Sequence, residues 1–543
     1  MKLKMLAICT ALIAPAVAHA EWKRAESKNF IVFSEGSEEE LRKATENMEK
    51  FAFVQAVVQG KKDVPPSPVK LKVYMVPSVP AVVATMPFPA YGVGGYYNPV
   101  LRGPFLVTPR RGLRGTRMSS AYKVGAVDDS FSADGVFYHE LTHHFMFQYS
   151  PAAYPSWYSE GFAEFWGGFQ IDTSDKGDVV RFGLPQTSRL SQINSSGSWL
   201  PAEKLLTARS YADAGDAIGL LYAEGWLLTH YSFINSERNK QLQTYLAAIN
   251  RGESYADAAK EGFGTTLNAL DSELKDYARS TKLGTQQISF KPIPTGDITI
   301  RATTPAENEL LDEDQRLSGG IAKSDIDAFV RRVREGAAKF PNDPYALGVL
   351  TETEDLAGNA AEADAALKRW IAVAPRDAMA LMFKGKLATE RLKAAKSTSE
   401  AAWDAARQDI LAAIKLAPNV PRVYKVYYDS WVDAGRYPPP PGALNGLAYA
   451  LKLVPNDDDL RYLVAKDYET RDMIPEAIAV IRPLAYTIKP DSELSPREKR
   501  NRDKAKKEYA LVGEDVDRET PRDMYDRLLK KQAEAKQAKP GAK

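Results

Sequence analysis

The eight residues from Tyr138 to Phe145 have the sequence YHELTHHF and contain three of the five histidines in this chain of 543 residues. His139 and His143 are four residues apart, which places both imidazoles on one face of a helix. Two imidazoles in this arrangement suit a tetrahedral Zn²⁺ site. Glu140 lies between them, where a carboxylate can accept a proton from a zinc-coordinated water.

His144 lies one position past the second predicted ligand and points about 100° away from it around the helix. We therefore expect a structural or surface-exposed residue there. Because HExxH arises by chance in roughly one chain of this size in a hundred, the motif needs a third ligand from another part of the sequence.

The segment from Trp157 to Phe165, WYSEGFAEF, offers that ligand. It begins just after Pro151 and Pro155, which are expected to end one helix and start the next. Glu160 and Glu164 are four residues apart and share a helix face, and two buried carboxylates are costly without a cation. We predict that Glu160 binds the metal and that Glu164 orients an imidazole. The alternative is a solvated acidic face.

HELTH followed by W-x-x-E-G-x-A-E-F resembles the peptidase MA family of gluzincins, which includes thermolysin-like and aminopeptidase N-like enzymes. The resemblance covers roughly residues 22–285. It implies an α+β zincin-like catalytic domain that hydrolyses peptide bonds in a peptide or protein substrate. It also implies one Zn²⁺ bound by His139, His143 and Glu160, with Glu140 as the general base.

Residues 221–231, LYAEGWLLTHY, are similar to the aminopeptidase N-like segment with a tyrosine three residues before a glycine. This likeness implies that the Tyr222 hydroxyl stabilises the oxyanion of the tetrahedral intermediate. His230 is the second candidate, because thermolysin-like enzymes use a histidine for this role. Either residue could instead be a core helix residue whose polar group is satisfied.

One departure from the family bears on specificity. Aminopeptidase N-like enzymes carry a G-x-M-E-N stretch whose glutamate binds the substrate amino terminus, and no such stretch precedes His139. Residues 94–97, GGYY, could supply an edge strand that lines the substrate, but they contain no carboxylate. The sequence therefore favours an endopeptidase over an aminopeptidase.

Five helical stretches of the second half of the chain end at a proline, and the intervals are 34, 43, 37 and 35 residues. A period near 34 residues resembles tetratricopeptide repeats, which stack into an all-α solenoid and can bind a protein partner. The alternative is a non-repetitive helical bundle. The prolines are Pro341, Pro375, Pro418, Pro455 and Pro490.

The N-terminal part contains strand patterns at Asn29–Phe33 and Val69–Val76 and an amphipathic helix pattern at Glu38–Val57. The predicted organisation is a signal peptide (1–20), a gluzincin-like domain (21–285, α/β to about residue 130 and helical after it), a linker (286–316), tetratricopeptide-like repeats (317–497) and a charged helical or disordered tail (498–543).

Residues 1–20 have the pattern of a signal peptide. Lys2 and Lys4 precede an apolar run that is too short to span a bilayer, and Ala18 and Ala20 suit cleavage after Ala20. We therefore expect a periplasmic or secreted protein without a membrane span. Cys9, the single cysteine, leaves lipidation as an alternative, and its place in this segment excludes disulfides and cysteine catalysis from the mature chain.

The charge balance is nearly even, with 72 basic and 70 acidic residues. It gives no reason to expect nucleic acid or an anionic membrane as a partner. A second functional hypothesis remains: a non-catalytic cell-envelope scaffold that uses the repeats and keeps a structural zinc site. An intact Glu140 favours the enzyme, since a structural site needs no general base.

Overall fold

The computed structural model describes residues 21–65, 67–88, 93–110, 133–195, 199–208, 217–264, 267–280, 283–489, 494–515 and 517–537. The predicted signal peptide, residues 1–20, therefore lies outside the described residues. In the described parts, no helix combines the length and the apolar character needed to cross a membrane.

The first half of the chain combines two sheets with a set of helices. The described strands are β1 (Lys23–Glu26), β2 (Phe30–Ser34), β3 (Leu71–Val76), β4 (Tyr96–Asn98), β5 (Phe105–Pro109), β6 (Gln170–Ser174), β7 (Gly177–Phe182), β8 (Gln286–Phe290) and β9 (Thr299–Ala302). The helices up to the repeats are α1 (Glu38–Val58), α2 (Val79–Ala84), α3 (Ala133–Tyr149), α4 (Ser156–Gly167), α5 (Thr187–Ser195), α6 (Ala202–Thr207), α7 (Ile218–Ile234), α8 (Ser236–Arg251), α9 (Tyr255–Phe263), α10 (Leu267–Ala278) and α11 (Pro305–Gly319).

The larger sheet has six strands in the order β4-β5-β3-β2-β1-β9. Strands β2, β3 and β5 are parallel neighbours, whereas β4, β1 and β9 pair antiparallel with their neighbours. The central strand β3 has the sequence LKVYMV and is buried at five of its six positions, as expected for a strand covered on both faces. Strand β4 forms one edge of this sheet, which places residues 96–98 beside the helices that follow.

Both faces of the larger sheet are covered. Apolar side chains of β2 and β3, among them Val32 and Val73, pack against α1 and α3 in the main core. On the other face, Phe33 and Tyr74 pack with Leu311 of α11. Helix α11 thus belongs to the core of the N-terminal half, although it also begins the repeats.

The segment 286–316, which we expected to be a linker, belongs to the sheets. Strand β8 pairs with β7 in a three-stranded antiparallel sheet, and β9 pairs with β1 at the edge of the larger one. The physical reason is that an edge strand exposes unpaired N–H and C=O groups, which a returning strand satisfies. The linker prediction was wrong, because residues 286–302 close two sheets and α11 begins at Pro305.

Helices α4 and α7 cross at a pair of glycines. A Cβ atom on Gly225 would lie 2.6 Å from the carbonyl oxygen of Trp157, and a Cβ atom on Gly161 would collide with the carbonyl oxygen of Gly225. The two helix backbones can approach this closely only because neither residue has a side chain. This crossing brings the first turns of α7 next to the acidic face of α4.

The predicted array of repeated helix pairs is confirmed: five pairs follow one another, and α11 and α12 form the first. Proline or a short polar residue begins most of the helices, as the capping rules lead one to expect. The helices after α11 are α12 (Ile326–Ala338), α13 (Pro344–Leu356), α14 (Ala360–Val373), α15 (Ala378–Ala394), α16 (Glu400–Leu416), α17 (Pro421–Asp433), α18 (Pro441–Leu453), α19 (Asp458–Thr470) and α20 (Ile474–Ala485).

The charged C-terminal part forms two helices, α21 (Pro496–Glu508) and α22 (Pro521–Gln537). Helix α21 has no buried residue, as predicted for an exposed helix. Helix α22, however, buries Met524, Tyr525 and Leu528, because these three apolar residues fall on one face of an otherwise charged helix. Of the two alternatives predicted for residues 498–543, helix or disorder, the structure shows helix as far as Gln537, and residues 538–543 lie outside the described residues.

We predict that Gly225→Ala destabilises the protein, because its new methyl group would overlap the Trp157 carbonyl oxygen at the α4–α7 crossing. Overpacking of this kind costs about 1–3 kcal/mol. The urea midpoint of unfolding should fall accordingly. Gly442→Ala in α18 is the matched control, since a Cβ atom there meets nothing within 4 Å. An equal loss in both variants would contradict the proposed close approach.

A second prediction concerns Glu224 on α7. Its carboxylate accepts a hydrogen bond of 2.8 Å from the Leu200 N–H, and burial raises its pKa to about 8. Because the pKa is higher in the folded chain than in the unfolded one, its contribution to stability is lost as the pH rises toward 8. The loss between pH 6 and pH 8 is roughly 2 kcal/mol.

Glu224→Gln should remove this part of the pH dependence when free energies of unfolding are measured at both pH values. The exposed Glu203 on α6 provides the control variant Glu203→Gln. The same pH dependence in Glu224→Gln and in the unaltered protein would show that Glu224 ionises normally.

Candidate metal centre

Helix α3 places His139 and His143 on the same face, as the four-residue spacing predicts. Their Nε2 atoms lie 3.2 Å apart, and the two rings are nearly perpendicular at a centroid distance of 4.9 Å. Two imidazoles that turn the same nitrogen toward one point resemble a pair of metal ligands. The helix period alone therefore accounts for this half of the site.

Glu160 approaches the two histidines from α4. One carboxylate oxygen lies 3.2 Å from Nε2 of His139, and the other lies 3.6 Å from Nε2 of His143. Within the described part of the chain, these three residues form the group that could hold a metal ion, with their ligand atoms within 4.8 Å of one another. The structure thus brings together the three residues that we predicted as ligands.

The second nitrogen of each imidazole also faces a polar group. Nδ1 of His139 lies 3.6 Å from a carboxylate oxygen of Glu164, and Nδ1 of His143 lies 3.5 Å from the Ser159 hydroxyl. Such partners orient a ligating imidazole. Glu164 therefore lies where we expected it, beside His139.

Arg189 on α5 was not predicted from the sequence. Its guanidinium pairs with both carboxylate oxygens of Glu164, through Nη2 and, at 3.2 Å, through Nε. It also lies over the Tyr222 ring, with 5.6 Å between Cζ and the ring centroid. No motif surrounds Arg189, so no pattern in the sequence could have identified it.

Glu140 does not join the three possible ligands but lies beside them. Its carboxylate accepts a hydrogen bond of 3.0 Å from the backbone N–H of Tyr97 in the edge strand β4. Burial raises the pKa of Glu140, and the negative charge of Glu160 adds to this effect. The carboxylate is thus held by the strand that we expected to line the substrate.

The carboxylates and imidazoles of the site shift one another's pKa values. Burial opposes ionisation of Glu160, but the charges and hydrogen bonds of His143 and His139 hold its pKa well below the usual range. Burial alone would lower the pKa of His139, yet its hydrogen bond with Glu160 and three nearby carboxylates raise it to about 9. The site therefore stabilises positive charge at the His139 imidazole.

Tyr222 lies close enough to the site to sense its charges. Burial raises the pKa of the phenol, and the carboxylates of Glu160, Glu140 and Glu164 raise it further. A phenol that keeps its proton in this environment can donate a hydrogen bond. The structure thus places Tyr222 near the predicted ligands.

His230 lies elsewhere, in the core. Its Nδ1 is 2.8 Å from the Tyr277 hydroxyl, its Nε2 is 2.9 Å from the Gly183 carbonyl oxygen, and the residue has no exposed surface. Burial lowers its pKa to about 4. Since both ring nitrogens have partners away from the site, His230 is a core residue with satisfied polar groups, which is the alternative stated for it above.

His144 is structural as well. Its ring packs edge-on against Tyr97 at a centroid distance of 5.5 Å, and burial lowers its pKa to about 3. A neutral imidazole in this position supports the strand beside Glu140. Of the two roles expected for His144, structural or surface-exposed, the buried position shows the structural one.

Comparisons with known proteins give only distant likenesses. The chain is similar to a thermophilic tetratricopeptide-repeat protein of Thermus thermophilus (19% identity, 41% of this chain and 98% of that one, TM-score 0.29). It is also similar to MamA (18%, 30% and 90%, 0.24) and to PilF of Pseudomonas aeruginosa (15%, 44% and 93%, 0.28). These likenesses carry no argument about activity. No protein-family model and no curated protein matches the chain, so the resemblance to the gluzincins rests on its own residues.

Proposed function

We propose that this protein is an exported zinc-dependent metallopeptidase of the gluzincin type, in which the helical repeats accompany a catalytic domain. The observation that carries the proposal is the spacing of the three possible ligands. Ligands bound at zinc–nitrogen and zinc–oxygen distances of about 2.0–2.2 Å in a tetrahedron are about 3.3–3.5 Å apart. The observed separations among His139, His143 and Glu160 are 3.2, 3.2 and 3.6 Å.

The charge of the site supports the same proposal. The carboxylates of Glu140, Glu160 and Glu164 all lie close enough to act on His139, and Glu164 also pairs with Arg189. Zinc ligation requires neutral imidazoles, and the buried carboxylate charge that remains in that state is costly without a cation. A divalent ion bound by two imidazoles and a carboxylate would neutralise it.

The residues of the site have separate roles in this proposal. Zinc, when bound, supplies Lewis acidity that polarises a peptide carbonyl and lowers the pKa of water. Glu140 accepts the proton of the attacking water and passes it to the leaving amine. Tyr222 donates a hydrogen bond to the developing oxyanion. Glu164, held by Arg189, orients His139.

The position of the edge strand β4 favours a polypeptide as the substrate. An extended chain can add to an exposed sheet edge through main-chain hydrogen bonds, and β4 lies next to Glu140. Such an edge grips the middle of a chain and needs no amino terminus, which favours an endopeptidase. A periplasmic or secreted location follows from the pattern of residues 1–20.

A second candidate function is that of a cell-envelope scaffold, in which the repeats bind a protein partner and the zinc site is structural. The stack of five helix pairs supports it, because such arrays present extended binding surfaces. The two functions are compatible in one protein. They differ in whether Glu140 has a chemical task.

We predict that the purified protein binds about one equivalent of zinc per chain, measured by atomic emission after dialysis against dilute zinc. His143→Ala and Glu160→Ala should lose most of it, since each removes one of three protein ligands. His144→Gln, which changes the neighbouring histidine, should retain it. Glu140→Gln should keep the zinc but lose cleavage of fluorescein-labelled casein by at least about a hundredfold.

The outcomes separate the two candidate functions. Zinc binding without cleavage of any unfolded protein substrate, with the same behaviour in Glu140→Gln, would favour the scaffold. A chain that binds no zinc after careful reconstitution would contradict both.

Tyr222→Phe should lower casein cleavage by on the order of a hundredfold, because it removes a donor to the oxyanion. Its zinc content should equal that of the unaltered protein. Tyr231→Phe, on the same helix, is the matched control and should leave cleavage unchanged. Equal activity in Tyr222→Phe and the unaltered protein would exclude Tyr222 from catalysis.

A further inference from the structure

The loop between β4 and β5, residues 99–104, lies against the repeats. Arg102 at its tip donates to the Asp314 backbone carbonyl and the Ser318 hydroxyl, each at 2.8 Å, and pairs with the Asp314 carboxylate at 2.7 Å. These partners belong to α11. A fourth contact, of 3.0 Å, joins Arg102 to Glu352 of α13. One side chain of the loop thus connects the first two repeat pairs.

The contact continues into later repeats. Glu352 also accepts a hydrogen bond of 3.1 Å from Arg422 at the start of α17, and Leu101 packs against a cluster that includes Tyr428 of the same helix. Helices α11, α13 and α17 are first helices of their pairs, so they form one face of the array. We call Arg102, Asp314, Glu352 and Arg422 the loop cluster.

The side chains of the loop cluster are largely shielded from solvent, with between 15% and 19% of each exposed. Ion pairs at this depth are costly to break, because the remaining partner keeps an uncompensated charge. The face that a repeat array would offer to a foreign peptide is therefore occupied here, in part, by a loop of the same chain.

A second path leads from the repeats to the same strand. Gln315 of α11 donates a hydrogen bond of 3.0 Å to the Tyr96 hydroxyl in β4. The next residue, Tyr97, donates its backbone N–H to Glu140 at 3.0 Å. The three-residue strand β4 thus lies between the repeats and the carboxylate of Glu140.

Strand β4 depends on such support. It is short, and β5 is its only neighbour in the order of the described strands. Three residues paired on one side make a weak strand, because edge strands fray readily. The contacts of the loop and of Tyr96 with the repeats fix both ends of β4.

We propose that the repeat array positions β4, with Arg102 as the positioning residue whose contacts in the loop cluster hold the strand against Glu140. The array thereby acts on its own catalytic domain through an intramolecular contact. The catalytic meaning of this arrangement rests on the function proposed above, since it supposes that Glu140 is the base and that β4 receives the substrate.

Hydrogen–deuterium exchange of the full chain, read by mass spectrometry, tests the proposal. In Arg102→Gln and in Glu352→Gln, amides of residues 93–98 should exchange about tenfold faster or more, because a buried ion pair is lost. Amides of β3, residues 71–76, should be unchanged and serve as an internal reference. Arg102→Lys keeps the charge but not the forked geometry and should give an intermediate rate.

The matched control is Arg391→Gln, which breaks an exposed ion pair of 2.5 Å with Asp364 within the repeats and away from the loop. It should leave the exchange of residues 93–98 unchanged. The proposal is overturned if the Arg102 variants exchange like the unaltered protein. It is also overturned if β3 accelerates as much as β4, which would indicate a general loss of stability. Zinc content, measured in parallel, reports separately on the proposed function.

Discussion

The candidate metal centre depends on carboxylates that the fold holds close together in a largely buried space. Glu140, Glu160 and Glu164 surround the imidazole of His139 and raise its pKa, whereas the two histidines hold the pKa of Glu160 below its usual range. Like charges repel one another, so neighbouring carboxylates need partners and a rigid frame to stay together. The surrounding helices hold these carboxylates in position. Helix α3 carries Glu140, and helix α4 carries Glu160 and Glu164. The close glycine contact with α7 fixes the position of α4.

The sequence predicted the core of this site because short spacings along a helix translate directly into geometry. His139 and His143 had to share a face, and so did Glu160 and Glu164. The sequence could not predict partners that come from distant parts of the chain. Arg189 reaches Glu164 from another helix, and nothing in its neighbours indicates that contact. His230 shows a second limit of prediction from sequence. The pattern of a helix does not tell which of its polar residues faces the site and which faces the core.

The same distinction applies to the fold. The strand and helix patterns around Phe30, Glu38 and Leu71 are local, and the observed bounds differ from the predicted ones by a few residues at most. The proline period predicted the repeats because it is also a local pattern. Residues 286–302, however, become strands only through pairing with residues more than a hundred positions earlier. Such long-range pairing leaves little trace in a segment of mixed composition, and it resembled a linker.

The repeat array contacts the N-terminal half of the chain at both of its ends. Its first helix, α11, covers the larger sheet. After its last helix, the Tyr486 carbonyl accepts a hydrogen bond of 2.6 Å from the Tyr255 hydroxyl, and the Tyr486 hydroxyl donates one of 2.7 Å to the Glu253 carbonyl. Helical arrays of this kind usually gain and lose units freely, since each unit contacts only its neighbours. Here the contacts at both ends fix the length of the array, so duplicating or deleting a helix pair would break the contacts at one end. The number of helix pairs is therefore constrained by the N-terminal half, and the two parts of the chain cannot change in length independently.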